Sequence, residues 1–313
     1  FCCLLGACDG DGARGSQQDN TGDITTDSSL EENADTNIGE SDSSGDELVF
    51  FDAHAHILAG SDEVELIEFL EASPSVEAMV VLGPVDTTEL QQSRGDLFIS
   101  FAWEDAAATS LDDVIAQLDA GAQGIGEISI RHFPSGPEQL ADENEADSEF
   151  LMSLYELAAE RDVPVHFHFD YSTTYIHELE TALSENPDTV FIWDHMGDAQ
   201  AEEIRSLMAA HDNLYADISC RNDLFWPRNV YDGYSLDGQS ILDGEDILKT
   251  EWVDLFEDYP DRFLFGTDIG PPGRAEQIAD IISYYRTALG QLSPDTAAKI
   301  AHQNAETLFG LAL

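Results

Sequence analysis

The chain has 313 residues, 42% of them hydrophobic, so it is long enough to bury the core of one large domain. Its 64 acidic and 12 basic residues give a net charge of −52 at pH 7. This charge repels nucleic-acid phosphates and anionic lipid surfaces, and it excludes binding through a phosphate backbone.

Residues 1–8, FCCLLGAC, are typical of a targeting segment. The run Leu5-Gly6-Ala7-Cys8 resembles the lipobox of exported lipoproteins, in which the cysteine is lipidated; the alternative is the end of an ordinary signal peptide. Residues 9–47 contain 12 acidic residues and five apolar side chains, too few to offset the entropy lost on ordering. We therefore expect an exported protein with a disordered acidic tether, anchored to a membrane through Cys8 or otherwise secreted.

From residue 48 onward, short β-rich runs alternate with helical patterns. The strands are predicted at 48–56, 76–83, 97–104, 122–130, 163–170, 190–195, 213–219 and 262–268, and the helices at 62–72, 87–94, 110–120, 148–161, 174–185, 199–211, 246–258 and 274–289. Eight such pairs predict a parallel sheet and fit a closed (β/α)8 TIM barrel. An open doubly wound sheet would need a glycine-rich phosphate loop after the first strand, and HAHILAGSDE is not one.

Smaller features complete this prediction. We expect Ser110 to cap a helix and Ser293-Pro294 to begin the last one. The segment 221–245, rich in aromatic residues and glycine, is predicted to be a loop over the barrel mouth. The barrel, residues 48–313, keeps 52 acidic and 11 basic residues, a net charge of −41. We interpret this surface as adaptation to high salt, which screens carboxylate repulsion, rather than as a site for a cationic partner.

Ionisable side chains stand where the predicted strands end, which is where TIM barrels place their active sites. His54 and His56 lie two apart and so face one side of the first strand. The other candidates are Glu127, the pair His166 and His168, His195 and Asp268. Glu127 is the most informative of them, because a carboxylate buried in an apolar strand needs a cation or a hydrogen-bond donor. Converging imidazoles and carboxylates predict a divalent-metal site, whereas His132, His177, His211 and His302 are assigned no function.

These motifs resemble the amidohydrolase superfamily, and in particular its amidohydrolase-related branch, which contains hydrolases and decarboxylases. The matching segments are FDAHAHI, VPVHFHFD, WDHMGD, FLFGTDIGPP and the closing IAHQNAETLFGL, in that order along residues 48–313. The resemblance implies that a divalent metal, for which zinc is the first choice, is bound by His54, His56, His168 and Asp268. It implies that His195 binds a second metal or polarises the substrate. Glu127 resembles the glutamate that bridges two metals in deoxyribonuclease-like members, so the number of bound ions, one or two, remains open.

Three functions follow as hypotheses. In the first, a metal lowers the pKa of a water for attack on an amide, ester or lactone, Asp268 transfers the proton and His195 stabilises the oxyanion. The second is metal-dependent decarboxylation, for which a cation must hold the departing carboxylate. Substrate-binding candidates are Arg131, Arg221, Arg228 and His166. The third is a surface lipoprotein that binds a ligand without catalysis. We expect a small-molecule substrate and no nucleic acid; the sequence leaves the oligomeric state open.

Overall fold

The structure, a computed structural model, describes residues 48–57, 75–84, 87–132, 142–222, 224, 240–270 and 277–311. Several predicted features lie outside these residues: the lipobox with Cys8, the tether 9–47, the helix at 62–72, Arg228 and most of the loop 221–245. Among the described residues, no helix combines the length and apolar character needed to cross a membrane.

Nine strands are described, eight of which are parallel. They are β1 Phe50–His56, β2 Val76–Leu82, β3 Phe98–Ser100, β4 Ile125–His132, β5 Asp142–Glu143, β6 Val165–Phe169, β7 Phe191–Trp193, β8 Leu214–Asp217 and β9 Phe263–Leu264. The first three form one sheet in chain order, and the others pair in the order β5-β4-β6-β7-β8-β9. Only β5, which was not predicted, is antiparallel, and it pairs with the end of β4.

Single parallel bridges join the two sheets into a ring. Ala102, just after β3, pairs with Ile125 of β4, and Ala55 of β1 pairs with Ile269 after β9. The second junction is reinforced by backbone hydrogen bonds from Ala53 N–H to the Phe265 carbonyl (2.8 Å) and from His56 N–H to the Ile269 carbonyl (2.7 Å). Eight parallel strands therefore close on themselves, which confirms the predicted barrel.

Helices follow the strands on the outside of this ring. They are α1 Thr88–Arg94, α2 Asp112–Ala120, α3 Glu149–Arg161, α4 Ile176–Glu185, α5 Ala201–Ala210, α6 Thr250–Asp258, α7 Ile278–Leu289, α8 Pro294–Ala298 and α9 Asn304–Phe309, with a π-helical turn Lys299–Gln303 between the last two. Ser293 caps α8 as predicted, with its hydroxyl accepting from the Thr296 N–H at 3.4 Å. Ser110 accepts from Asp112 N–H (3.1 Å), but α2 begins only at Asp112, with Leu111 at its N-cap.

Two apolar clusters hold the barrel together. The larger contains buried side chains from the strands and from α3, α4, α5, α6 and α7. The smaller contains inward side chains of β1, β2, β3, β7 and β9 with Ala305 and Phe309 of α9. Because these strands are spread around the ring, their side chains can meet only inside it. The interior is therefore packed with side chains, and α9 contributes to it.

An irregularity in β1 aims its histidines. Phe51 and Ala53 belong to the smaller cluster, inside the ring, whereas Ala55 belongs to the larger cluster. The pairing of β1 with β2 shifts register between Asp52 and Ala55. Such a shift reverses which alternate residues face inward, and irregularities of this kind often lie beside active sites. His54 and His56 thereby join the inner side at the end of the strand.

Candidate metal centre

Six side chains meet at the C-terminal side of the barrel strands, and we call them the six-residue site. They are His54 and His56 of β1, Glu127 of β4, His168 of β6, His195 after β7 and Asp268 after β9. Three overlapping groups within this set have ligand atoms within 4.8 Å of one another: His54, His56 and Glu127; His54, His195 and Asp268; Glu127, His168 and His195. The sequence named all six, and the structure brings them together.

Glu127 lies between the two histidine pairs. Its Oε2 is 3.3 Å from His56 Nε2 and 3.9 Å from His54 Nε2. Its Oε1 is 3.1 Å from His168 Nδ1 and 3.9 Å from His195 Nε2. Every described ion-pair partner of Glu127 is a histidine. One carboxylate therefore offers a different oxygen to each pair.

Asp268 completes the side occupied by the β1 histidines. Its Oδ1 is 3.0 Å from His56 Nε2 and 3.6 Å from His54 Nε2, and these two ring nitrogens are 3.1 Å apart. Its Oδ2 lies 3.9 Å from His195 Nε2 and accepts a hydrogen bond from the Cys220 thiol at 2.9 Å. The four-ligand set His54, His56, His168 and Asp268 expected from the resemblance is not one compact group, because His168 lies with Glu127 and His195.

Asp217 at the end of β8 orients His54. The Nδ1 of His54 is 2.9 Å from Asp217 Oδ2, and both side chains are fully buried. A carboxylate at this distance holds the ring proton on Nδ1, which leaves Nε2 as the atom that faces the six-residue site.

The same carboxylate fixes His195 through Ser219. The Ser219 hydroxyl donates to Asp217 Oδ1, so its oxygen must accept from the Nδ1–H of His195, 2.7 Å away. His195 therefore presents an unprotonated Nε2 to Glu127 and Asp268. This tautomer supplies a metal ligand, and it lacks the N–H that the expected role in oxyanion stabilisation would need.

A left-handed turn carries His195. In the 3₁₀ helix Asp194–Asp198, the φ angles of His195, Met196 and Gly197 are 57°, 53° and 58°. Gly197 is required here, because a Cβ at this position would lie 1.9 Å from Cζ2 of Trp193. Strained backbone of this kind persists where the surroundings fix it, commonly at functional sites.

The electrostatics of the site follow from burial and pairing. Burial lowers the pKa of His54, but the charge of Asp217 and its hydrogen bond outweigh this and raise that pKa to about 9. Burial raises the pKa of Glu127, yet hydrogen bonds from His168 and His56 hold it well below its usual value. The pKa of Asp268 is also well below its usual value, since hydrogen bonding to His56 outweighs burial. Burial is the main cause of the lowered pKa of His195. Glu127 and Asp268 are therefore ionised, and His195 is neutral, at pH 7.

The predicted substrate-binding residues are outside the six-residue site, although the His166 ring lies 5.4 Å from that of His54. His166 lies on β6 two residues before His168. It is fully buried, and its Nδ1 pairs with Asp194. Arg131 makes a bidentate pair with Glu178 (3.2 and 2.7 Å). Arg221 is fully buried, donates to the Ala199 carbonyl (2.7 Å) and lies over the Trp252 ring. Each has at least one polar atom paired inside the protein, although His166 Nε2 and the Nε and Nη1 atoms of Arg221 make no hydrogen bond within the described part of the chain. Substrate contact by the three residues stays a prediction.

Sequence reasoning missed the residues that support the ligands. Asp217, Ser219, Asp170 and His132 all contact histidines of the site, and His132, to which the sequence assigned no function, is the last residue of β4. Asp52 ties β1 to the segment bearing Asp268, accepting from Thr267 N–H (2.9 Å) and His54 N–H (3.1 Å). Asp170 ends one predicted strand and Asp217 stands near the end of another, but that position alone does not identify the histidine that each contacts.

The donor set fits divalent metal ions. Four imidazole nitrogens and two ionised carboxylates converge. The Nε2 lone pair of His195 points into this space, and that of His54 joins it once its second proton is displaced. Imidazole and carboxylate ligands with carboxylate or hydroxyl support behind them are the surroundings that zinc and related metals use.

Comparisons with known proteins found a matching family model and similar solved structures. A family model described as "Amidohydrolase" matches residues 86–311, from just before α1 to two residues past α9. No curated protein matches the chain. The structure resembles a probable 2-pyrone-4,6-dicarboxylic acid hydrolase from Acinetobacter baumannii with citric acid bound, at 13% identity and a TM-score of 0.57, covering 84% of this chain and 99% of that one.

Two further solved structures share the architecture. One is a dihydroorotase from Campylobacter jejuni (15% identity, TM-score 0.55, covering 85% of this chain and 84% of that one). The other is an amidohydrolase from Burkholderia multivorans with bound zinc (14% identity, TM-score 0.51, covering 84% and 100%). At such identities the likeness shows the fold.

Proposed function

This chain belongs to the amidohydrolase family, whose enzymes use divalent metals, and on that premise we propose that it is a hydrolase holding two metal ions bridged by Glu127. The observation that carries the proposal is the placement of the Glu127 oxygens, 3.3 Å from His56 Nε2 on one side and 3.1 Å from His168 Nδ1 on the other. A single ion would leave one histidine pair and one carboxylate oxygen without a cation. Zinc is our first choice, since the donors are nitrogen and oxygen atoms and the Burkholderia structure contains zinc.

Each residue of the site has a place in this proposal. The first ion would be held by His54, His56, Asp268 and Oε2 of Glu127, and the second by His168, His195 and Oε1 of Glu127. Bound ions of this kind lower the pKa of a water molecule and polarise a carbonyl oxygen. Asp268, ionised and at the edge of both histidine pairs, accepts the proton of the attacking water and returns it to the leaving group. The substrates we propose are small molecules with an amide, ester or lactone bond.

The pairing and burial of the described candidate arginines favour hydrolysis over decarboxylation. A decarboxylase needs a cation for the departing carboxylate, whereas Arg131 is paired with Glu178 and Arg221 is enclosed by the protein. Arg228 lies outside the described residues. The described part of the chain therefore supports water attack better than release of carbon dioxide.

Isotope labelling distinguishes the two reactions. The zinc-loaded protein would be screened with lactones, esters, amides and carboxylated aromatic acids in water enriched in oxygen-18. Hydrolysis places one labelled oxygen in the carboxylic acid product, and activity disappears after chelation and returns with zinc. Release of carbon dioxide without label in the product would establish the decarboxylase, and a fully metal-loaded protein without turnover on any class would support the ligand-binding lipoprotein.

We also propose that the barrel is held at a membrane surface through Cys8, on the strength of the lipobox-like Leu5-Gly6-Ala7-Cys8 and the acidic stretch that follows it. The precursor expressed in its own host should enter the detergent phase on phase separation. Cys8→Ser should move the protein to the aqueous phase, while Cys3→Ser, a matched control in the same segment, should not. Equal partitioning of all three proteins would contradict the anchor.

A further inference from the structure

The strongest cluster outside the six-residue site lies behind His168. Asp170, two residues further along the chain, places Oδ1 2.9 Å from His168 Nε2. His132 of β4 places Nδ1 3.2 Å from Asp170 Oδ2 and 3.0 Å from His168 Nε2. All three side chains are buried. We call them the His168 support, and no part of the proposed chemistry so far uses Asp170 or His132.

From these contacts we infer that Asp170 is the positioning residue of the second metal: it holds the proton of His168 on Nε2 and so keeps Nδ1 open toward Oε1 of Glu127. This inference rests on the proposed two-metal function. It extends that function by assigning the residue that prepares one ligand.

The proton count on His168 leads to this assignment. A neutral imidazole carries one proton, and here each ring nitrogen faces a carboxylate oxygen, Glu127 at 3.1 Å and Asp170 at 2.9 Å. When Nδ1 binds a cation, the proton must be on Nε2, where only an acceptor can stabilise it. Asp170 is such an acceptor, and an anionic one. A carboxylate behind a ligating histidine fixes its tautomer and ring orientation.

The backbone of Asp170 is held on two sides. Its N–H donates to the carbonyl of Arg131 on β4 at 2.8 Å, and the following Tyr171 N–H donates to the carbonyl of Gly197 at 2.7 Å. The carboxylate is therefore fixed to the strand that carries Glu127 and to the turn that carries His195. This makes Asp170 a rigid reference for the second metal's ligands.

Three of the candidate metal ligands have the same kind of support, a hydrogen-bond acceptor behind the imidazole ring. Asp217 stands behind His54, Ser219 with Asp217 stands behind His195, and Asp170 stands behind His168. The first ion's histidines do not contact Asp170 among the described hydrogen bonds and ion pairs. Loss of the Asp170 charge should consequently affect the second ion and spare the first.

Zinc titration of the metal-free full-length protein tests this inference. Wild type should bind two equivalents. In Asp170→Asn the second equivalent should bind about 10- to 100-fold more weakly, with the first unchanged. Asp254→Asn, an exposed carboxylate on α6, is the matched control and should titrate like wild type. His132→Ala should keep two equivalents.

Direct detection of the tautomer covers the case in which Asp170→Asn does not fold. Long-range proton–nitrogen NMR of zinc-loaded wild type should show His168 protonated at Nε2. Protonation at Nδ1, or a folded Asp170→Asn variant with an unchanged second equivalent, would overturn the inference. Three equivalents in wild type, with one lost in His132→Ala, would also overturn it, because the support would then bind metal itself. Wild type holding fewer than two equivalents would instead overturn the two-metal function on which the inference rests.

Discussion

At the scale of single residues, Asp217 orients two candidate ligands at once. Its Oδ2 faces His54 Nδ1 at 2.9 Å, and its Oδ1 accepts from the hydroxyl of Ser219, which in turn contacts His195. It also accepts from Ser219 N–H at 2.8 Å and His195 N–H at 3.2 Å. One buried carboxylate therefore determines the tautomers of a histidine on each side of Glu127.

Asp217→Asn should weaken both metal ions rather than one. The amide cannot replace the negative charge, and its NH2 group would face a donor, either His54 Nδ1–H or the Ser219 hydroxyl, where the carboxylate accepts a hydrogen bond. We expect about a 10- to 100-fold loss of zinc affinity at each site, the usual cost of removing a carboxylate behind a ligating histidine. Competition with a chromophoric chelator measures it, with Asp254→Asn as control. A loss confined to one equivalent would contradict the shared role.

Zinc binding should also strengthen as pH rises. Without metal, burial lowers the pKa of His54, but Asp217 outweighs this and raises it to about 9; burial likewise lowers the pKa of His56, but hydrogen bonds donated to Asp268 and Glu127 outweigh it and raise that pKa. Zinc must displace these protons below pH 9. The dissociation constant should therefore fall by up to about tenfold per pH unit for each proton released between about pH 6.5 and 9. A pH-independent constant in that range would contradict the paired charges.

The stability of the metal-free protein should have the opposite dependence on pH. A histidine whose pKa is raised in the folded state stabilises it below about pH 6.5, its value in the unfolded chain, and that contribution is lost as pH rises through about 9. Asp52, whose pKa burial raises to about 7, acts in the same direction at lower pH. Urea unfolding of metal-free protein should give a lower free energy at pH 9 than at pH 6.5, whereas an unchanged or higher value would show that His54 is neutral in the folded state.

The ligands were accessible to sequence reasoning and their supports were not. His54, His56 and Asp268 stand in short motifs at strand ends, so local spacing was sufficient to name them. The choice between His166 and His168 needed the resemblance, because alternation gives both the same side. Asp217 and Asp170 became recognisable only once strand register placed them beside a particular ring nitrogen, which depends on contacts between distant parts of the chain.

At the scale of elements, the turn after β7 depends on one glycine. Gly197 has φ +58°, and a Cβ would lie 1.9 Å from Cζ2 and 2.0 Å from Cε2 of Trp193, whose indole N–H donates to the Phe169 carbonyl at 2.7 Å. The ring is therefore tied to β6 and cannot move aside freely. The turn that presents His195 has little room for any other residue.

Gly197→Ala should destabilise the protein by at least about 1–3 kcal/mol, since overpacking adds to an unfavourable backbone conformation. Gly244→Ala is the matched control, because a Cβ there meets nothing within 4 Å. Urea unfolding of both variants measures the difference. If Gly197→Ala were as stable as Gly244→Ala, the close approach to Trp193 would be wrong.

Element positions were predicted better than their ends. All eight parallel strands lie within the predicted ranges or extend them by two residues, because apolar β-rich runs mark buried strands. The predicted strand 262–268 contains only the two-residue β9, since Thr267 and Asp268 leave the ladder to bond with Asp52 and the His54 carbonyl. The two-residue β5 is too short for any periodicity to reveal.

At the scale of the whole molecule, charge should govern stability. With 64 acidic and 12 basic residues, carboxylate repulsion opposes folding in dilute buffer. Screening shortens the Debye length from about 10 Å at 0.1 M to about 3 Å at 1 M salt. The melting temperature should therefore rise between these concentrations in sodium chloride and potassium chloride alike. No rise would contradict salt adaptation, and a rise with one cation alone would indicate specific binding instead of screening.

The central prediction for the whole molecule is its metal content: we expect two metal ions bridged by Glu127. Elemental analysis of metal per chain tests it most directly, using wild type, Glu127→Gln and the control Glu156→Gln on an exposed face of α3. The neutral amide keeps the shape of Glu127 but is a poor bridge between cations. We predict about two equivalents in wild type and in Glu156→Gln, and about one in Glu127→Gln, as expected for a two-metal hydrolase site. A single equivalent in wild type that persists in Glu127→Gln would contradict the claim.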